Sequence, residues 1–120
     1  MRIVGIGTDM VAVVRIAKML DRHGERFLGR CFRPGEIPTP ASNSVAGRWA
    51  AKEAFLKALG ADVRGIPYRD VEVGGSGHGP VKLNLHGRAR DALAAAGGKR
   101  VHLTISHEQE FAVATVIIEA

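Results

Sequence analysis

The apolar positions of this chain change period several times, and each change marks an element. Ile3–Ile6 is short and β-branched and runs into Gly7-Thr8-Asp9, which predicts a strand and then a turn. From about Val11 the period lengthens. Val13, Ile16, Ala17 and Leu20 recur at helical spacing, and Phe27 and Leu28 continue the pattern past Gly24. Arg33-Pro34-Gly35 and Pro38-Thr39-Pro40 then punctuate the chain as loop, and Val63–Tyr68 is irregular. Val71–Val73 and Val81–Leu85 read as strands around the glycine-rich loop 74–80. Arg88–Ala96 reads as a short helix stopped by Gly97-Gly98. Val101, Leu103 and Ile105 alternate with His102, Thr104 and Ser106, and the turn His107–Glu110 joins that strand to the apolar run Phe111–Ile118 as an antiparallel hairpin. Helices and strands mix without a βαβ rhythm. The expected fold class is therefore α+β, a small antiparallel sheet packed with a long buried helix, in a single domain over residues 1–120.

The helix expected to be buried is the most unusual segment. It begins near Ser42 or Ser44, either of which can cap it, and stops near Gly60. At about 100° per residue, Val45, Trp49, Leu56 and Leu59 share one face, and Ala50, Ala51, Ala54 and Ala58 cover much of the rest. A helix apolar nearly all round is buried. Arg48, Lys52, Glu53 and Lys57 nevertheless sit on it. Buried charges require partners, a metal or a ligand, so this helix is a candidate site.

Composition narrows the function classes. The lone Cys31 excludes an intramolecular disulfide and a cysteine zinc cluster. The early apolar run is broken by Gly5, Gly7 and Asp9, so no signal peptide is expected, and no run is long enough to span a bilayer. The expected compartment is the cytoplasm, with no membrane partner. Seventeen Lys and Arg against twelve Asp and Glu give a net charge of +5, which favours a phosphorylated ligand, nucleic acid or an acidic protein. Aromatics make up only 5% of the chain, which disfavours a base-stacking surface.

Several residues can carry chemistry. Asp9, between strand and helix, reads first as an N-cap and second as a carboxylate open to a ligand. Glu53 and Lys57 have the spacing of an ordinary helical ion pair. If Asp9 and Glu53 meet in space they form a hard oxygen site of the kind magnesium takes, together with waters and substrate phosphates. His107, at a strand end, suits a structural or exposed role, or that of a general base in its neutral form. Arg15, Lys18, Arg22, Arg26 and Arg30 fall within roughly a 120° arc of one continuous helix, with Asp21 and Glu25 off the arc. That stripe is either a solvated face or a dock for an acidic partner. Gly5-Ile6-Gly7 and the 74–79 loop lack a full dinucleotide fingerprint and read as turns.

Taken together, these motifs resemble a known family. Ile3-Val4-Gly5-Ile6-Gly7-Thr8-Asp9 resembles the opening motif of holo-acyl-carrier-protein synthases. Gly47-Arg48-Trp49-Ala50-Ala51-Lys52-Glu53-Ala54-Phe55-Leu56-Lys57-Ala58 resembles their second motif. Gly79-Pro80-Val81 is similar to their Gly-x-Pro stretch, and Ile105-Ser106-His107 to the start of their C-terminal segment. The resemblance implies a magnesium-dependent 4′-phosphopantetheinyl transferase with the family's compact α+β fold. It would move that group from coenzyme A to a serine of an apo acyl carrier protein in fatty-acid synthesis, as a homotrimer with interfacial sites. By position, Asp9 and Glu53 would ligate the metal, Lys57 would stabilise charge on the transferring phosphate or leaving group, and the base would be His107 or, alternatively, a metal-activated water. Arg48, Lys52, Gly79 and Pro80 would bind coenzyme A. Arg15, Lys18, Arg22, Arg26, Phe27 and Arg30 would dock the acidic carrier. One departure is a short 36–47 segment without Lys or Arg, which shifts 3′-phosphate contacts to Arg48, Lys52 or a neighbouring subunit. The alternatives are a basic module that binds nucleic acid or a carrier without catalysis, and a transferase for a polyketide-type carrier.

Overall fold

The computed structural model describes residues 1–39, 41–60, 63–75 and 79–120. Strand β1 spans Ile3–Ala12, helix α1 Val13–Cys31 and helix α2 Ser42–Leu59. A 3-10 turn, Tyr68–Asp70, leads into β2, Val71–Gly74. Then follow β3, Lys82–Leu85, α3, Gly87–Ala95, β4, Arg100–His107, and β5, Phe111–Glu119. The α+β class holds. The main sheet is antiparallel in the order β1-β5-β4, and β2 and β3 form a separate antiparallel ribbon. The expected β4–β5 hairpin is present. Pro40, Ser76, Gly77 and His78 of the expected loops lie outside the described residues.

Helix α2 crosses the inner face of the main sheet and also packs on α1 and β2. Small residues set how close it comes. A Cβ on Gly5 would stand 1.8 Å from the Ala58 carbonyl oxygen, and one on Gly7 would stand 2.1 Å from that of Ala54. No side chain fits there, so β1 lies directly against the helix backbone. The core is completed by Val45, Phe55, Val116 and Ile118, all fully buried, with Ala112 and Ala114 leaving room for the helix.

Three local expectations are corrected. The turn expected at Gly7-Thr8-Asp9 is absent, because β1 continues its pairing with β5 through Ala12. Asp9 is thus a mid-strand residue opposite Ala114 and not an N-cap. Neither Ser42 nor Ser44 caps α2. Ala41 holds that position, and the Asn43 side-chain oxygen accepts from the Ser44 N–H at 2.8 Å. Gly60 does end the helix in the left-handed conformation, at φ 66°. Gly24 kinks α1 at φ 45°, ψ −118°, and the helical hydrogen bonding resumes beyond it.

Candidate active site

The residues singled out above divide into two groups, one at each edge of the main sheet. At the β1 edge, Asp9 shares the inner face with Gly7 and Val11. Lys57 reaches across from the last turn of α2. Its ammonium donates to Asp9 Oδ1 at 2.9 Å and to the Thr8 carbonyl at 3.1 Å, while its side chain stays about half exposed. Asp9 Oδ2 is buried and has no hydrogen-bond partner. An orphaned carboxylate oxygen in that position is costly unless a cation or a donor completes it. Glu53 lies one turn before Lys57 on the same face of α2. Its Oε1 accepts from the hydroxyl of Tyr68. Both Glu53 and Asp9 lie close enough to push the Tyr68 phenol upward, although burial is the largest cause of its shift. Asp9 and Lys57 thus meet directly, while Glu53, one helical turn away, is joined to Tyr68. This donor set of carboxylate oxygens fits a hard divalent cation such as magnesium.

At the β4 edge a cleft of about 460 Å³ is lined by Arg48, Gly79, Pro80 and His107, with Ser44 and Ile105. A Cβ on Gly47 would stand 2.8 Å from Ile105 Cγ2 and 3.8 Å from His107 Cδ2, so α2 begins hard against this strand. Arg48 is buried. Its guanidinium donates to the carbonyls of Val73 and Gly75, each at 2.8 Å. Those bonds hold the end of β2 at the cleft wall and leave further N–H groups for a ligand. Burial draws the guanidinium below its ordinary range, with partial compensation from Glu36.

Lys52 does not belong to either group, and its expected contact with coenzyme A is corrected. Its side chain is wholly buried. The ammonium donates to the carbonyls of Tyr68 at 2.9 Å and Val71 at 2.6 Å and pairs with Glu36 at 2.8 Å. It also sits 4.8 Å from the Phe32 ring centroid. Every ammonium hydrogen is used inside the protein. Glu36 accepts in turn from the backbone N–H of Arg33 and of Val73. Burial lowers the Lys52 pKa, with Glu36 acting against it. The short 36–47 segment thus contributes an internal anchor.

The kink at Gly24 interrupts the continuous helix that the arc of cations assumes, and Arg15, Lys18, Arg22, Arg26 and Arg30 are all exposed. Arg15 stacks over Trp49, 5.4 Å from the ring centroid, which ties the stripe to α2. Phe27 is core, 6% exposed and edge-on to Phe32. It forms part of a hollow of about 280 Å³ that Arg26, Arg30, Trp49 and Tyr68 also line. Glu36 and Tyr68 were not singled out from the sequence. The one available signal was the need of a buried lysine for a carboxylate, and nothing in the spacing identified which one.

Comparisons with known proteins give the family and the fold. A family model described as the 4′-phosphopantetheinyl transferase superfamily matches residues 5–116. A protein of Koribacter versatilis called holo-[acyl-carrier-protein] synthase is 43% identical over 123 residues, covering 98% of each chain. One of Vibrio atlanticus with the same name is 40% identical and covers 100% of each chain. Among solved structures, the holo-[acyl-carrier-protein] synthase of Neisseria meningitidis superposes with a TM-score of 0.87 at 36% identity, covering 99% of this chain and 100% of that one. The Helicobacter pylori enzyme in complex with coenzyme A gives 0.83 at 30% identity, covering 95% and 99%.

Proposed function

The chain belongs to the 4′-phosphopantetheinyl transferase superfamily, and on that premise we propose that it converts an apo acyl carrier protein to its holo form. The serine oxygen of the carrier forms a bond to the β-phosphorus of coenzyme A, and the bond from that phosphorus to the bridging oxygen breaks. Adenosine 3′,5′-bisphosphate leaves with the electron pair, and the serine proton passes to a base. The single observation that carries the reading is an Asp9 carboxylate with one oxygen held by the half-exposed Lys57 ammonium and the other orphaned, with Glu53 one helical turn before that lysine. A diphosphate needs that combination, because displacement at phosphorus depends on neutralising and aligning charge.

The parts divide as follows. Asp9 and Glu53 would hold magnesium, whose chemistry here is Lewis-acid neutralisation of the diphosphate. Lys57, tethered by Asp9 and Thr8, faces the charge that develops on the transferred group. Arg48, Gly79 and Pro80 receive the nucleotide in the β4 cleft, and His107 in the same cleft takes the serine proton. The exposed stripe on α1 docks the acidic surface of the carrier.

The two groups of residues stand at opposite edges of the three-stranded sheet. Asp9 and His107 flank β5 at positions roughly 12 Å apart, from strand spacing and rise. Arg48 and Lys57 are separated by about 14 Å of helix axis. The outer face of the sheet offers a means of joining them. Ile6 and Met10 are more than 60% exposed there, and Phe111 is 42% exposed. Three copies closing on this face would bring the Asp9 group of one protomer to the His107 cleft of the next. The proposed setting is the cytoplasm, in fatty-acid synthesis.

The test is a mass spectrum of apo acyl carrier protein incubated with this chain, coenzyme A and magnesium. A gain of one phosphopantetheine that a chelator abolishes is expected. No gain across several carriers, with the chain folded, would refute the transferase reading.

A further inference from the structure

Tyr68 stands where three features meet. Its hydroxyl donates to Glu53 Oε1. Its ring lies tilted against Trp49, with centroids 6.4 Å apart. That ring also helps to wall the hollow beneath the basic stripe. Its backbone is fixed from inside the protein, because the buried Lys52 ammonium holds the Tyr68 and Val71 carbonyls while Glu36 holds the Val73 N–H. The buried Lys52–Glu36 pair touches neither the cleft nor solvent.

We propose that Tyr68 is a positioning residue that fixes the orientation of the Glu53 carboxylate for a divalent cation, with the buried Lys52–Glu36 pair as its anchor. The inference deepens the reading of Glu53 as a metal ligand and rests on it. A glutamate on a helix surface has three rotatable bonds and samples many orientations. A hydroxyl delivered by an anchored backbone and a packed ring selects one of them. Hydrogen bonds to ligating carboxylates commonly govern metal affinity in this way. A role as wall of the hollow alone makes a different demand, because it needs the ring and not the hydroxyl.

Tyr68→Phe separates the two roles, since it keeps the ring and removes the donor. The probe is Mn²⁺ added to the full chain with coenzyme A, free Mn²⁺ being read from its electron paramagnetic resonance signal. Tyr68→Phe should weaken Mn²⁺ binding about 10-fold or more. The KM for the carrier should stay at the parental value. The same change made on Glu53→Gln should add nothing, because the hydroxyl acts through that carboxylate. In the unmodified chain, Mg²⁺ with coenzyme A should perturb the near-ultraviolet band of the only tyrosine, which tests the contact without any variant. Parental Mn²⁺ binding in Tyr68→Phe, with binding lost in Glu53→Gln, would overturn the positioning role and leave the metal site standing. Parental binding in both variants would remove Glu53 as a ligand, and this inference with it.

Discussion

Lys52 and Arg48 sit one turn apart on the same helix and both are buried, yet only Arg48 lines a cleft. The sequence showed that these charges needed partners and could not show which partners they had. Lys52 finds Glu36 across a loop whose path no periodicity reveals. Removing one member of a buried pair strands the other. Lys52→Met should therefore destabilise the fold by about 3–5 kcal/mol, read from urea melts. Parental melting with a raised KM for coenzyme A would restore the ligand role instead. Tyr68 is legible by titration because it is the only tyrosine. Burial first, and the bond to Glu53 second, raise its pKa well above the ordinary phenol range. The folded chain then holds a proton that the unfolded chain loses near pH 10. This contribution to stability is fully present below about pH 10 and is lost as pH climbs from there toward the folded pKa. Phenolate absorbance should rise late in the folded protein and near pH 10 in urea. Glu53→Gln should lower the folded value only part of the way, since burial remains.

At the scale of elements, strong periodicity was readable and strand ends were not. The hairpin, the alanine-rich helix and its stop at Gly60 follow directly from the pattern. The extension of β1 through Asp9 does not, because glycine and aspartate read locally as a turn. Pairing with β5 outweighs that preference, and the glycines serve close approach to α2 instead. The same competition explains the cap, since the start of α2 falls at Ala41 and no serine stands there. The stripe on α1 was legible because helical spacing alone aligns it, and the break at Gly24 leaves all five cations exposed. If it docks an acidic carrier, Lys18→Glu with Arg22→Glu should raise the carrier KM severalfold, roughly 3–10-fold, and flatten its salt dependence. Arg15 is a poorer choice because it also packs on Trp49. An equal rise in KM for coenzyme A would indicate a general defect in place of lost docking.

At the scale of the whole molecule, the proposed reading divides the site between the two edges of the main sheet, whose outer face exposes Ile6, Met10 and Phe111. Neither half-site has the full set of groups that the proposed reaction uses. Among the described residues, Asp9, Glu53 and Lys57 have no base beside them, and the cleft of Arg48 and His107 has no carboxylate in its lining. Ile6 and Met10 stand exposed on β1 where a monomer would gain from polar residues. Met10→Glu should then yield a monomer by sedimentation, and transfer activity should fall with the assembly. A stricter test mixes two damaged chains. Glu53→Gln and His107→Ala, co-expressed and co-purified as mixed oligomers, each supply the half-site that the other lacks. Interfaces that join an intact Glu53 to an intact His107 should form in about a quarter of random pairings. Activity should rise above either variant alone by that fraction of the parental rate. Mixed oligomers no more active than their parents would place both half-sites to work within one chain, and the exposed sheet face would then have no part in catalysis.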